Sequence, residues 1–163
     1  MAEQEADIEQ VHDIVHEHAA RTSWGERVAL TTALFAVFAA VSSLLSTHES
    51  DKAILYRVES SDQWSYYQAK GIKGIVTQSA DDKERYLKDQ ETIKDEAEKL
   101  THESEHAMHV HEFFAFAVTI FQVATAIGAI AVLVKKRPIW FTSLALGAVG
   151  IAFFVRALTL FLN

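Results

Sequence analysis

Cysteine is absent from the chain. That excludes a disulfide framework, a thiolate metal site and a cysteine nucleophile, and it leaves the redox compartment open. Positive charge is scarce as well. Fifteen Lys and Arg stand against 22 Asp and Glu, a formal net charge of −7. Most of the excess acid lies in Met1–Glu26 and His48–Glu112. Such a surface repels phosphate backbones, so nucleic acid is not expected as a partner. Glycine is sparse too, and none of the six sits in a phosphate-binding loop, a dinucleotide fingerprint or a nucleophile elbow. No small-molecule substrate is identifiable, and enzymatic activity is not expected. The first 27 residues are acidic and amphipathic rather than a basic stretch leading into a short apolar run. A cleaved signal peptide is therefore not expected, and the first apolar run should remain as an anchor.

What the chain does have is segregation. Half of its residues are hydrophobic and 23% are charged, and the two classes fall in separate blocks. Val28–Thr47 is a run of 20 uncharged residues, Phe113–Val134 one of 22, and Pro138–Val155 one of 18. A 20-residue helix is roughly 30 Å long, the thickness of a hydrocarbon core. The polar remainder is too short to bury three such helices, so the bilayer is the expected partner. Ser23 and Glu26 form a capping box that predicts a helix start at that point. The expected organisation is an acidic N-terminal segment (1–22), span one (23–47), a charged helical segment (48–112), span two (113–134), a basic turn (135–138) and span three (139–163).

Basic residues in short flanks orient such a protein. Lys135, Lys136 and Arg137 fill the turn between spans two and three, and Arg21 and Arg27 precede span one. Both sets are cytoplasmic if the N-terminus is, with Trp24 and Trp140 at the same interface. Residues 48–112 and the C-terminus then lie on the opposite, periplasmic side.

The 48–112 segment reads as a helical, coiled-coil-like hairpin. A break falls at Ser79–Asp82, where Ser79 can cap the second helix. Ile54, Val58, Ile72 and Ile75, with Trp64, Tyr66 and Tyr67, predict a first helix continuous with span one. Gly71 and Gly74 allow a kink or close packing. In the second helix half of the 32 residues from Asp81 to Glu112 are charged. Glu84/Lys88, Arg85/Asp89 and Asp95/Lys99 have the i,i+4 spacing of helix-supporting pairs. Tyr86, Ile93, Ala97, Leu100 and Ala107 trace a thin seam near a 3.5-residue repeat. A seam this thin predicts that neighbouring chains complete the core, making the protein a homo-oligomer.

The stretch Ser61-Asp62-Gln63-Trp64-Ser65-Tyr66-Tyr67-Gln68-Ala69-Lys70-Gly71-Ile72-Lys73 resembles the signature of a bacterial family catalogued as domain of unknown function 4337. The layout around it is similar over nearly the whole chain. The resemblance implies a small multi-pass protein of the bacterial inner membrane, and it brings no activity with it. From the residues themselves, Trp64, Tyr66, Tyr67 and Lys70 read as hydrogen-bonded packing within the hairpin or between subunits.

Four histidines, His102, His106, His109 and His111, lie within ten residues. Positions 102, 106 and 109 share one helix face, with Glu105 beside them, and His48 stands at the outer end of span one. Imidazole with carboxylate suits zinc, nickel, copper or iron, and imidazole also titrates near neutrality. His48, His102, His106, His109 and Glu105 are thus candidate metal ligands, zinc being one candidate metal, against the plainer reading of exposed histidines on a charged helix. His102-Glu103-Ser104-Glu105-His106 fits the zinc-protease pattern formally, but the segment is so rich in His and Glu that such a match carries little weight. His12, His16 and His18 form a second, weaker group.

Within the spans, Ala124/Gly128 and Ser143/Gly147 are small-xxx-small pairs that permit close helix approach, within or between chains, and Gln122 could bond across helices. Arg156 is the one charge in an otherwise apolar span, and an ion pair with Glu112 is expected. The leading function is a structural or interaction scaffold. A channel or transporter subunit, and a metal- or pH-responsive protein, are the alternatives.

Overall fold

The computed structural model describes the backbone of residues 2–162 and the side chains from Trp24 to Leu162. The chain forms three helices and, among the described residues, no strand: α1 (Ala2–Val76), α2 (Ala80–Val134) and α3 (Arg137–Phe161). All three are long and apolar enough to cross a membrane. The helix expected to start at Ser23 has no boundary there, because α1 runs through that position. Once residues on both sides are helical, the amides a cap would serve already have carbonyl partners four residues back. His12, His16 and His18 lie outside the residues whose side chains are described.

The two helix ends that matter are closed by local chemistry. Three residues separate α1 from α2, and Ser79 caps α2, its Oγ accepting from the Asp82 N–H at 3.4 Å. At the end of α2, Lys135 adopts a left-handed φ of 55°. The Lys136 N–H then reaches the Ala131 carbonyl, and the Lys135 N–H the Val132 carbonyl, both at 3.3 Å. These bonds satisfy carbonyls that the helix end would otherwise leave open. Pro138 sits in the first turn of α3, where its missing N–H costs nothing.

Two compact units divide the chain. The first comprises residues 1–42 and 116–153. Its interior is built of small residues against rings. Phe35 and Phe38 both stack on Phe121, at 6.1 and 5.5 Å between centroids. A Cβ on Gly147 would collide with the Phe35 ring, and one on Gly128 with the Thr32 methyl. Ser143 Oγ donates to the Ala124 carbonyl at 2.6 Å. Both small-xxx-small pairs are therefore used within the chain, and Gly128 and Gly147 are not free to serve an oligomer contact. Gln122, expected to bond across helices, is exposed instead. Trp24 and Trp140 meet edge to face at 6.5 Å, and Trp140 Nε1 donates to Thr31 Oγ1 at 3.2 Å.

The second unit comprises residues 43–115 and 154–163. At one end Val110, Phe114 and Ala157 form an apolar cluster with Leu45, Phe113, Phe154 and Leu160 against it. Beyond it α1 and α2 run antiparallel. Ile93, Ala97 and Ala107 are buried as the seam predicts, with Tyr86 and Leu100 half-buried. The ion pairs along α2 differ from the expected ones. Arg85 turns to Asp82, Lys94 pairs with Glu98 and Lys99 with Glu103. Asp89 is lost to Arg85 because a lysine of α1 takes it.

Candidate functional site

The chemistry of the second unit lies along the α1–α2 seam, where polar contacts recur at every seventh residue. His111 Nδ1 is 2.8 Å from the Ser46 carbonyl, which can only accept, so Nδ1 carries the proton; Ser46 Oγ is 3.0 Å away. Seven residues along α1 and seven back along α2, Ser104 Oγ donates to the Ala53 carbonyl at 2.9 Å. One step on, Ser60 Oγ donates to the Ala97 carbonyl at 3.0 Å and contacts Thr101 Oγ1 at 2.7 Å. At the fourth step Gln90 Nε2 donates to the Tyr67 carbonyl at 3.1 Å. Small residues bring the two backbones close enough for a side chain of one helix to bond the main chain of the other. A shift of register would strand buried hydroxyls, so the ladder fixes the pairing.

Glu49 sits in this seam, 2% exposed, between the first and second steps. Its Oε1 has no hydrogen-bond partner among the described residues. Its Oε2 lies 3.9 Å from the ammonium of Lys52, itself 43% exposed. A carboxylate so buried and so little bonded is costly.

At the far end of the seam the aromatic stretch forms a clasp. Lys70 donates to Asp89 at 2.7 Å, with the Tyr66 and Tyr86 rings 5.2 and 5.4 Å from its ammonium. Trp64 packs edge-on against Tyr67 at 5.6 Å. A Cβ at Gly71 would come within 2.7 Å of Gln90 Nε2 and push aside the amide that bonds the Tyr67 carbonyl. The hydrogen bond to Asp89, then that to Tyr66, holds the Lys70 ammonium above its usual range. The same bond, aided by the Lys70 and Arg85 charges, holds the Asp89 carboxyl low. The clasp is thus charged on both sides over the neutral range.

A groove of about 310 Å³ opens on one side of the seam, with Ile54, Val58 and Met108 on its walls and Arg57, Glu105, His109 and Glu112 among its lining.

The expected metal ligands do not assemble. His48, His102, Glu105, His106 and His109 do not meet in one place, and among the described residues no three His, Asp or Glu side chains converge as a metal-binding group. The reason is the ladder: it takes His111 into the seam and leaves positions 102, 106 and 109 exposed outside it. His109 packs edge-on against Phe113 at 5.2 Å. The expected Arg156–Glu112 ion pair is not formed either. Both side chains are exposed, and neither belongs to an ion pair among the described residues. Trp64, Tyr66 and Tyr67 do come together with Lys70, at the clasp. Ser46, Glu49, Ser60, Ser104 and Gln90 were missed by pattern reading, although a small or polar residue at 46, 53 and 60 carries a seven-residue step; Asp89 was assigned to Arg85 and pairs with Lys70 instead.

The family described as "Domain of unknown function (DUF4337)" matches residues 24–83 and 76–160, which together take in the seam, the clasp and all three apolar runs. The chain belongs to this family. DUF4337 gives no activity to the site, and the two matched stretches overlap at the α1–α2 link. No curated protein and no solved structure matches the chain.

Proposed function

We propose that this DUF4337 chain is a homo-oligomeric, multi-pass protein of the bacterial inner membrane that acts as a structural or interaction scaffold. In this reading its N-terminus is cytoplasmic, and residues 48–112 stand outside the spans as a coiled-coil hairpin. One observation carries the reading. Between residues 48 and 112 the large apolar side chains Ile54, Leu55, Val58, Ile72, Ile75, Leu87 and Met108 are exposed, whereas the buried apolar ones are few and mostly small, Ala53, Ile93, Ala97, Ala107 and Val110. A water-facing segment that exposes more large apolar surface than it buries gains by covering that surface with another chain. The ladder and clasp supply a fixed, register-locked support for such a face.

Light scattering of the detergent-purified protein tests the reading, with crosslinking in native membranes alongside. A mass of two or more chains, with matching crosslinked species in membranes, is the expected result. A monomer in both refutes the scaffold.

A further inference from the structure

Resting on that oligomeric reading, a second pattern on α1 identifies the partner surface. The seam toward α2 uses 49, 53, 56, 60, 63, 67, 70 and 74, the alternating four- and three-residue steps of a coiled coil. On nearly the opposite side of the helix the same steps pick out Ile54, Val58, Ser61, Ser65, Ile72 and Ile75, with Gln68 filling the remaining position. All seven are exposed, the four β-branched residues by 53–84%. None of the seven is charged, although eight of the 28 residues from Glu49 to Val76 are. Ile54 and Val58 also wall the groove beside Met108. The stripe stops at Asp51, one step toward the first span.

We propose that this stripe is the interface with a second copy of the same chain, the two α1 helices packing in parallel about a two-fold axis along the membrane normal. Copies inserted the same way into one bilayer bring α1 together parallel and in register. Each residue of the stripe then meets its own equivalent across the axis, where a charge would repel itself; the stripe avoids that penalty along its whole length. The flanks are complementary rather than neutral. In a parallel pair, a flanking residue meets the opposite flank of its partner five positions on. Arg57 and Asp62 occupy those two positions. Both are exposed, and neither belongs to an ion pair within the described residues. The two-fold axis forms the contact twice, Arg57 of each copy against Asp62 of the other. Ser61 and Ser65, at the centre of the stripe, let the helices approach closely.

Because the chain has no cysteine, the interface can be read with single introduced thiols. Ser61→Cys and Ser65→Cys should each give a disulfide-linked dimer on mild oxidation in native membranes, and Glu96→Cys on the exposed face of α2 should not. Arg57→Asp and Asp62→Arg, each placed in the Ser61→Cys background, should lower the crosslinked fraction roughly fivefold or more. The Arg57→Asp/Asp62→Arg double swap should restore it, which a fold defect would not allow. If light scattering reports an oligomer but neither the Ser61→Cys nor the Ser65→Cys protein crosslinks, this interface is overturned while the scaffold reading stands. If crosslinking succeeds and the double swap does not restore it, the register is overturned. A monomer by scattering overturns both.

Discussion

Replacing Glu49 with methionine should stabilise the protein. The carboxylate is 2% exposed, and one of its oxygens has no partner among the described residues. The ammonium of Lys52 is 3.9 Å away on a side chain that keeps 43% of its surface in water. Desolvation therefore acts almost wholly on the acid, and the attraction that should offset it is long and screened. Exchanging poorly satisfied buried charge for apolar volume of similar size is worth about 1–2 kcal/mol here, within the range seen for such replacements. For a chain of this length that raises the melting temperature by roughly 2–8 °C. Lys52→Met should do the opposite, lowering stability by about 0.5–1 kcal/mol, because it removes the Lys52 cation and leaves the acid in place. Far-UV circular dichroism melts in a mild detergent at neutral pH read both. A Glu49→Met protein that melts several degrees below the parent would refute the reasoning. The carboxylate would then have a partner that a single chain does not contain.

Other outcomes follow from the packing and the helix ends. Gly147→Val should destabilise by about 1–3 kcal/mol, since a Cβ collides with the buried Phe35 ring; Gly25→Ala, with nothing within 4 Å, should be neutral or slightly stabilising in the same melt. Lys135→Gly should raise stability by about 0.5–1 kcal/mol by relieving the left-handed φ of 55°, which L side chains resist and glycine does not; an unchanged or lower melt would count against it. The advantage of the parent over Asp89→Asn should be constant through the neutral range. Asp89 is held below its usual 3.8, so its contribution is present above that value and fades as pH falls beneath it. Lys70 is held above its usual 10.5, so its contribution is complete below that value and fades as pH rises past it. An advantage that vanished between pH 5 and 9 would contradict the clasp.

Three apolar helices were legible in the sequence, and so was a helix break beside Ser79, expected at 79–82 and found at 77–79. Each is a local property: length and hydropathy decide whether a helix can cross a membrane, and Ser79 caps α2 with its own neighbouring amide. Whatever depends on how a helix is rotated about its axis was settled by packing. Positions 102, 106 and 109 share a face in any helix, yet only the pairing of Ser46 with His111 and Ser104 with Ala53 keeps that face out of the seam. The same rotation buries Glu49 and directs Asp89 to Lys70 instead of Arg85, and Arg156 and Glu112 do not pair with each other. Periodicity defines faces, but it does not say which face meets which. On α1 two faces carry the same four-and-three step, and only packing against α2 shows which one is occupied and which is left exposed. That choice is made by buried hydroxyls and amides reaching the main chain of a helix many residues away, where no short window of sequence can register it.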